Sequence, residues 1–324
     1  MIRFGVIGAG NIANNFCEAI NVVEGASLYA IASRDIKKAE DYQKTYGIKK
    51  AYGSYKEMLE DPLLDCVYIA TPHGLHYEHM MLSLEHDKHI LCEKAFTLNE
   101  SQAKAVFTKA KEKQCFVMEA MWTRFLPMVQ TLKQGIDEGL IGDIKVIDVQ
   151  LCFDIPVAED HRVLAKHLGG GALLDVGIYP ITFAHIFLGK PQSFETTMTP
   201  TATKVDGSNK ITYYYENAIA YLKSSIIEKG DTTALIKGTK GYAKVPWFWC
   251  SGKAEIFDLE DRLIKTIDYP HQVNGFEYEI EEVVRCLNNQ QLESFVMSHQ
   301  TTLEMMRQMD DIRKVWNLKY PKED

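Results

Sequence analysis

The chain has 324 residues, of which 46% are hydrophobic and 25% charged, so it can bury a large core and is expected to form two domains. Its formal net charge of −8 argues against a nucleic-acid or membrane-surface partner, because both need a concentrated basic face. We see no apolar run that approaches the roughly 18 residues of a membrane span, and the first strand begins at Ile2, so we expect neither a membrane segment nor a signal peptide.

The first predicted element is a short apolar strand that leads into the glycine-rich motif GAGNIA. Gly8 would allow a tight turn, and Gly10 would let the backbone approach a pyrophosphate. Ala13 would let the following helix pack closely against the strand. The amides at the start of that helix, at Asn11 and Ile12, would then face the anion. The motif therefore predicts a dinucleotide-binding site.

The second predicted strand covers residues 28–32 and is followed by Ser33 and Arg34. An NAD-binding strand usually ends in Asp or Glu, which accepts hydrogen bonds from the ribose 2′-hydroxyl. A guanidinium and a serine hydroxyl instead suit a 2′-phosphate, and Lys38 lies one helical turn further on. We therefore predict NADP as the cofactor, with NAD as the alternative because Asp35 stands beside these residues. A solvated helix start is the other interpretation of the basic residues.

Apolar strands and helical stretches alternate along the first third of the chain. Further strands are predicted over residues 66–70, 89–92 and 115–118. Such a βαβ pattern is typical of a parallel sheet covered by helices. We therefore predict an α/β architecture, with a doubly wound Rossmann domain over residues 1–122.

The pattern changes after this domain to longer strands of alternating polarity. These strands are predicted over residues 144–153, 193–199, 209–224, 232–237 and 253–257. The alternation indicates an antiparallel or mixed sheet with one covered face and one face free to meet a partner. Turn signals lie at Asp206-Gly207 and Lys240-Gly241, and helices near 275–288 and 298–316 close the chain. We predict an α+β domain with a large open-faced mixed sheet over residues 123–324.

Ligands of doubly wound sheets bind outside the carboxyl ends of the strands. Two predicted strand ends carry residues that would face such a ligand: Thr71, Pro72, His73 and His76 after one strand, and Glu93 and Lys94 after the next. Lys94 could stabilise negative charge on a substrate oxygen, while Glu93 could hold a ribose hydroxyl or orient the lysine. A charged pair without a catalytic role is the alternative. The spacing of His73, His76 and His79 suggests a metal, but no further ligand completes such a site and we predict none.

The second domain contains a triple glycine at residues 169–171, which predicts a mobile loop ahead of a helix. Asp175 and Tyr179 stand four residues apart on that helix and so share a face. A neighbouring ammonium, such as that of Lys94, would lower the pKa of a tyrosine from its usual value of about 10. We therefore predict that these three side chains are catalytic and that Tyr179 exchanges the proton that accompanies hydride transfer. A core aromatic is the alternative interpretation of Tyr179.

Seven cysteines are scattered through mostly apolar surroundings: Cys17, Cys66, Cys92, Cys115, Cys152, Cys250 and Cys286. Their number is odd, and no CxxC pair occurs among them. We therefore predict buried free thiols in a reducing compartment and a cytoplasmic protein.

Five motifs occur in an order that resembles the glucose-fructose oxidoreductase, inositol dehydrogenase and rhizopine catabolism (Gfo/Idh/MocA) family. They are GAGNIA, Ser33-Arg34, Thr71-Pro72 with His76, Glu93-Lys94, and Asp175 to Tyr179. The resemblance spans nearly the whole chain. It implies a Rossmann domain, an open-faced sheet domain that commonly builds the oligomer, and a lysine near the nicotinamide and the substrate. Ala95 replaces the family's proline after this lysine, so the loop that holds Lys94 is expected to be less rigid.

The stretch at residues 119–125 most resembles the branch of this family that oxidises trans-dihydrodiols of arenes, or aldoses at C1, with NADP. The resemblance therefore implies hydride transfer between NADP and a CH–OH group of a sugar, polyol or cyclic trans-diol, in a homodimer or larger homo-oligomer. Trp122 and Arg124 are predicted to contact the cofactor, and Trp122, Phe153 and Arg162 to line the substrate pocket. Two alternatives stay open: a sugar–sugar oxidoreductase with tightly bound cofactor, and a non-catalytic NADP-binding sensor.

Overall fold

A computed structural model describes residues 1–321 and residue 323, and within them the chain forms fourteen strands and nine α-helices. The strands are β1 (Ile2–Ile7), β2 (Ala26–Ala32), β3 (Lys50–Tyr52), β4 (Cys66–Ile69), β5 (His89–Glu93), β6 (Val117–Ala120), β7 (Ile144–Cys152), β8 (Ser193–Pro200), β9 (Asp206–Tyr214), β10 (Ile219–Ser225), β11 (Thr233–Gly238), β12 (Gly241–Pro246), β13 (Lys253–Asp258) and β14 (Leu263–Asp268). The helices are α1 (Asn11–Ala19), α2 (Ile36–Tyr46), α3 (Tyr55–Leu59), α4 (His76–Glu85), α5 (Glu100–Lys113), α6 (Pro127–Asp137), α7 (Ile178–Leu188), α8 (Glu277–Asn288) and α9 (His299–Trp316).

The chain divides into two compact units. The first contains Met1–Met121 and Gln272–Met306, and the second contains Trp122–His271 and Arg307–Asp324. The first boundary falls one residue from the predicted one. Residues 272–306, which the prediction placed in the second domain, instead return to the first unit.

Specific contacts hold this returning segment in the first unit. The Asn274 side-chain amide donates to the Asn15 carbonyl at 3.0 Å, and the His299 ring stacks on Phe107 with centroids 3.9 Å apart. Helix α8 also packs against β2. These partners are more than 190 residues away in sequence, so local patterns could not indicate them.

The first unit contains a six-stranded parallel sheet in the order β3-β2-β1-β4-β5-β6. This topology confirms the predicted doubly wound sheet. The strand order reverses between β1 and β4, where such sheets bind ligands beyond the strand ends. Phe16 of α1 stacks on Tyr68 of β4 at a centroid distance of 4.0 Å and covers the sheet at this place. The core therefore lies directly under the candidate ligand edge.

The second unit contains an eight-stranded mixed sheet in the order β14-β13-β12-β11-β7-β10-β9-β8. Only β7 and β10 pair in parallel, and the other neighbours are antiparallel. Helix α7 packs against β7 and β10 and covers one face. Burial alternates along β10, where Ala220 and Leu222 are buried and Tyr221 is 46% exposed. The predicted open-faced mixed sheet is therefore confirmed.

Two details of this sheet differ from the prediction. The single strand predicted over residues 209–224 is the hairpin of β9 and β10, closed by a hydrogen bond from the Tyr215 amide to the Ala218 carbonyl at 3.0 Å. Polarity alternates on both sides of this short turn, which hid it from the sequence pattern. Asp206-Gly207, predicted as a turn, begins β9, and the Asp206 side chain is fully buried.

Within the described residues, one helical stretch, Lys166–Leu188, is long and apolar enough to cross a membrane by length and composition alone. This finding corrects the expectation that no apolar run approaches that length. In its most apolar window, 83% of the residues are buried inside the protein, as in a core helix. The prediction of free thiols is confirmed, since all seven cysteines are free and only Cys250 is not fully buried.

Candidate active site

The glycine-rich turn after β1 has the geometry that its sequence predicts. Gly8 has a φ of +101°, and an added Cβ would lie 3.0 Å from Thr71 Cγ2 and 3.2 Å from the Ala70 carbonyl oxygen. Only glycine fits that position without strain. Gly10 precedes α1, and an added Cβ there would meet only the Ala70 oxygen, at 3.9 Å. Its backbone is therefore open to a ligand, while the buried Ala13 lets α1 pack on the sheet.

The residues after β2 separate into engaged and exposed groups. The Asp35 carboxylate accepts a hydrogen bond from the Lys37 amide at 3.1 Å and so caps α2. Ser33 is 8% exposed, and its hydroxyl accepts a bond from the Asp35 amide at 3.2 Å. Arg34 and Lys38 are exposed. Asp35, the residue for which NAD stayed as the alternative cofactor, thus uses its carboxylate to cap α2.

His76 lies between the loops that follow β4 and β5. Its Nδ1 lies 2.9 Å from the Ala95 carbonyl oxygen and its Nε2 lies 2.6 Å from the Thr71 carbonyl oxygen. The side chain is fully buried, and burial lowers its pKa to about 4. The two carbonyls favour the charged ring and so raise the pKa, but their effect is smaller than that of burial. His76, predicted to contact the cofactor, is therefore a support under the site, because burial keeps its ring from the surface.

The two other histidines of this stretch are also built into the fold. His79 Nδ1 lies 2.9 Å from Thr71 Oγ1, and the His79 ring packs edge-on against Tyr55. The His73 ring packs edge-on against His76. Over the residues that the structure describes, no group of three or more His, Cys, Asp or Glu side chains is placed to hold a metal.

Glu93 and Lys94 follow β5 and are held by a buried network. The Tyr68 hydroxyl donates to Glu93 Oε1 at 2.5 Å, and the Lys94 amide donates to Glu93 Oε2 at 3.2 Å. Glu279 of α8 is fully buried, and burial followed by the negative charge of Glu93 raises its pKa well above the usual range. The carboxylate of Glu93 therefore orients the backbone that carries Lys94. Tyr68 and Glu279 were not predicted, since only the folded first unit brings β4 and α8 to this place.

The position of the missing proline is firmly held. Ala95 is fully buried, and its carbonyl is the oxygen that meets His76. The next amide, of Phe96, donates to Glu119 Oε1 at 3.1 Å. Side chains from two neighbouring elements thus fix the backbone after Lys94, which offsets the loss of proline's restriction.

In the second unit, Asp175 lies within a π-helical turn, Leu173–Gly177, that leads into α7 and Tyr179. Asp175 is 7% exposed and Tyr179 is 8% exposed. Arg162 Nη1 donates to Asp175 Oδ1 at 2.9 Å. The structure therefore brings Arg162, predicted as a substrate contact, onto one of the predicted catalytic side chains. A bound carboxylate of this kind is positioned and partly neutralised.

The triple glycine before this turn is packed, which corrects the predicted mobile loop. All three glycines are buried, and the amides of Gly170 and Gly171 donate to the carbonyls of Ala165 and Val163. Gly171 has a φ of +122°. The glycines are present for conformation and close approach, which a sequence alone does not distinguish from mobility.

The other predicted residues of the second unit are an arginine and two aromatic side chains. Trp122 and Arg124 lie on a 3₁₀ turn, and Arg124 Nη2 lies 2.7 Å from His185 Nδ1. Phe153 packs edge-on against Trp249 with centroids 5.8 Å apart. Trp249 was not predicted. The run Trp247-Phe-Trp249 in the sequence is the signal that could have drawn attention to it.

The predicted residues thus form two sets, one in each unit. In the first unit, the residues after β1, β2, β4 and β5 meet at one edge of the parallel sheet. They comprise Gly8, Gly10, Ser33, Arg34, Thr71, Glu93 and Lys94. In the second unit, Arg162 and Asp175 form an ion pair on the turn that leads to Tyr179. The first set suits a dinucleotide, and the second suits proton transfer at a polar substrate.

Family models match both parts of the chain. Residues 2–121 match the GFO_IDH_MocA oxidoreductase family with an NAD-binding Rossmann fold, and residues 129–244 match the GFO/IDH/MocA C-terminal domain. The chain is 32% identical to trans-1,2-dihydrobenzene-1,2-diol dehydrogenase of Xenopus tropicalis, over 98% of this chain and 99% of that protein. It is 31% identical to D-xylose 1-dehydrogenase (NADP(+)) of Hypocrea jecorina, over 99% and 93% respectively.

Solved structures show the same fold at lower identity. Aldose-aldose oxidoreductase from Caulobacter crescentus has a TM-score of 0.88 and 20% identity, covering 98% of this chain and 97% of that one. KijD10, a 3-ketoreductase from Actinomadura kijaniata in complex with NADP and TDP-benzene, has a TM-score of 0.84 and 24% identity, covering 96% of each chain. At these identities the likeness supports the fold alone.

Proposed function

Because the chain belongs to the GFO/IDH/MocA oxidoreductase family, we propose that it is an NADP-dependent dehydrogenase acting on a CH–OH group of a sugar, polyol or cyclic trans-diol. The observation that carries the cofactor preference is the end of β2. Asp35 is engaged as the cap of α2, which leaves the exposed guanidinium of Arg34 and the hydroxyl proton of Ser33 to meet a 2′-phosphate. Full-length relatives named as dihydrodiol and NADP-linked xylose dehydrogenases support the substrate class.

The residues of the first unit fit this cofactor. Gly8 makes the turn, and the open backbone at Gly10 with the start of α1 would hold the pyrophosphate. Ser33 and Arg34 would hold the 2′-phosphate through charge-assisted hydrogen bonds. When bound, NADP supplies the hydride acceptor or donor of the reaction.

We assign the proton chemistry to three side chains. Tyr179 accepts the substrate hydroxyl proton during oxidation and returns it during reduction. Lys94, whose backbone is fixed by Glu93, stabilises the negative charge that develops on the substrate oxygen. Asp175 holds its orientation through Arg162 and positions the substrate. Each role follows from the ordinary chemistry of the group, and the observed contacts of the Lys94 backbone and of Asp175 support two of them.

The test is nicotinamide reduction, followed by absorbance, across a panel of aldoses, inositols and cyclic trans-diols with NADP and with NAD. We expect NADP-linked turnover with at least one substrate, and a loss of about 10² to 10⁴-fold in kcat for Tyr179→Phe. Nucleotide binding should be intact in that variant. Near-normal turnover by Tyr179→Phe would contradict the proton-transfer assignment. Cofactor that stays bound through gel filtration, with turnover only between two sugars, would contradict a dehydrogenase that exchanges free NADP.

We also propose a homodimer formed through the exposed face of the second-unit sheet. Its support is the alternation along β10, an interior strand of the sheet, which leaves Tyr221 exposed on that face. A cytoplasmic location is proposed from the seven free thiols, because an oxidising compartment favours paired cysteines.

A further inference from the structure

Asp206, at the start of β9, is a fully buried carboxylate that the chemistry above does not use. Its Oδ2 accepts a hydrogen bond from the Leu173 amide at 2.7 Å and another from the Asn209 side-chain amide at 2.9 Å. Leu173 is the first residue of the π-helical turn that carries Asp175. The first amides of a helical segment have no partner within the segment. Asp206 therefore supplies one of those partners from a different element, 33 residues away.

The network continues to the other end of the same turn. Asn209 Oδ1 accepts a bond from the Ser224 hydroxyl at 2.9 Å, and both side chains are buried. A Cβ added at Gly177 would lie 2.8 Å from Ser224 Oγ, so the turn packs directly on this hydroxyl. Asp206 thus holds the start of the five-residue turn, and Ser224 of β10 contacts its end.

The backbone before the turn passes so close to the Asp206 carboxylate that it leaves no space for a side chain at position 171. Gly171 has a φ of +122°, and a Cβ added to it would lie 2.3 Å from Asp206 Oδ1. The preceding carbonyl, of Gly170, accepts a hydrogen bond from the Tyr320 hydroxyl at 2.8 Å. Any other residue at position 171 would displace either the carboxylate or the chain. The triple glycine is therefore matched to Asp206 in both conformation and space.

We propose that Asp206 is a positioning residue that sets the orientation of Asp175 and Tyr179 by fixing the π-helical turn between β9, β10 and α7. The proposal rests on the proposed function for the roles of those two side chains. π-Helical turns are rare, occur mostly as single turns inside α-helices and are frequent at functional sites. Reacting groups also tolerate little displacement, since about 1 Å of misplacement can cost about 10²-fold in rate. Asp206 acts through the backbone of the turn and does not itself touch substrate.

The experiment compares Asp206→Ala with Asp206→Asn. The alanine variant removes the oxygen that accepts from Leu173 and Asn209, whereas the asparagine variant retains an oxygen for both donors. We expect Asp206→Ala to lower kcat by about 10²-fold with KM for NADP changed less than about 2-fold, and Asp206→Asn to recover kcat to within about 10-fold of the parent. Hydrogen exchange at the amides of Leu173 to Gly177 should rise in Asp206→Ala and stay near the parent rate in Asp206→Asn.

Asp61 provides the matched control, because it is also a buried and hydrogen-bonded carboxylate but lies in the first unit, with Tyr29, Tyr52 and Lys50 as partners. Asp61→Ala should lower Tm while kcat stays within about 2-fold of the parent. Should Asp206→Ala fail to fold, Ser224→Ala takes its place, with kcat lowered about 5-fold, KM for NADP unchanged and exchange raised at Gly177.

Three outcomes would overturn the proposal. The first is a folded Asp206→Ala variant with parental kcat, and the second is Asp206→Asn as impaired as Asp206→Ala. The third is an Asp61→Ala control that loses kcat to the same degree. Failure of the proposed function is seen separately, as an absence of turnover by the parent protein. In that case, unchanged exchange at residues 173–177 in Asp206→Ala overturns the positioning role, and raised exchange in that variant alone supports it.

Discussion

At the scale of single residues, what a side chain can bind depends on the hydrogen bonds that it already makes within the protein. Asp35 stands where an acidic residue could select NAD, yet its carboxylate is engaged by the Lys37 amide at the start of α2. Glu93 stands at a strand end that faces the ligand edge, yet both of its oxygens accept bonds from Tyr68 and Lys94. A carboxylate already bonded by protein donors is less available to a ribose hydroxyl. The availability of both carboxylates to a ribose therefore depends on hydrogen bonds that the order of residues alone does not give.

Arg34→Gln tests the preference for NADP. Losing a charge-assisted hydrogen bond to a phosphate costs about 1.5–3 kcal/mol, so kcat/KM for NADP should fall about 10 to 100-fold. The value for NAD should change little, because NAD carries no 2′-phosphate. Steady-state kinetics with both cofactors measure the ratio.

Lys44→Gln is the control for this change, since Lys44 is an exposed cation in the last turn of the same helix, α2. It should leave the ratio of the two cofactors unaltered. An Arg34→Gln variant with the parental ratio would place the 2′-phosphate elsewhere, and the preference for NADP would need another source.

At the scale of elements, the candidate site depends on contacts between the loops that follow neighbouring strands. His76 begins α4, and its ring lies between the Thr71 carbonyl after β4 and the Ala95 carbonyl after β5, to one of which the neutral ring donates. His79, on the next turn of that helix, meets Thr71. Burial lowers the pKa of each ring to about 4. Acidification therefore acts on the same element that supports Lys94.

The linkage gives a defined pH window. An imidazole with a lowered pKa is neutral in the folded state, whereas the unfolded chain binds its proton below about pH 6.5. The stability contributed by neutral His76 is thus complete above about pH 6.5 and is lost as the pH falls toward 4. The loss amounts to about 3 kcal/mol, since each pKa unit corresponds to about 1.4 kcal/mol.

Denaturant unfolding of His76→Gln at a series of pH values checks this window. The decline in unfolding free energy from pH 7 to pH 4 should be smaller in the variant than in the parent by up to about 3 kcal/mol, with His79 accounting for what remains. His167→Gln changes an exposed ring and serves as the control, with the parental slope expected. Equal slopes in parent and His76→Gln would show that His76 is charged in the folded state.

Local motifs predicted the residues at the candidate cofactor edge but not the residues that hold them in position. Gly8 and Ser33 follow their strands directly, so spacing alone locates them. The Asp206-Gly207 pair predicts a turn but begins β9, because an Asp-Gly pair has the same local sequence whether it turns the chain or opens a buried strand. Tyr68 reads as one more apolar position of a central strand. Supports of this kind arise from pairing between distant elements, which no local pattern encodes.

At the scale of the whole molecule, the chain crosses between its units more than once. The sequence predicts a single crossing near residue 122, whereas residues 272–306 return to the first unit and 307–324 belong to the second. The returning segment brings Glu279 close enough to Glu93 for the charge of Glu93 to raise the pKa of Glu279. Helix α9 reads as one regular amphipathic helix, and nothing in its periodicity marks the change of unit at residues 306–307. The periodicity of a helix predicts that one of its faces is buried, but it does not predict which sheet covers that face.

The exposed face of the second-unit sheet is the surface through which we propose that the dimer forms. The strand register places Tyr221 opposite Thr212 on one side and Asp148 on the other, so its ring stands on an interior strand of the face and not at an edge. Central aromatic residues commonly contribute about 2 kcal/mol or more to an interface, and a buried carboxylate without a partner is costly. Tyr221→Glu should therefore raise the dimer dissociation constant by about 30-fold or more.

Light scattering over a concentration series measures this directly. The parent protein should have twice the 36.9 kDa mass of one chain, and Tyr221→Glu should approach the single-chain mass at concentrations where the parent stays dimeric. Leu259→Glu changes a side chain that is 67% exposed beyond the end of β13, and it should keep the parental mass. A parent of single-chain mass, or a Tyr221→Glu variant that stays dimeric, would show that this face is not the interface. The alternating polarity of the sheet would then serve solubility alone, as it does in sheets whose second face meets only water.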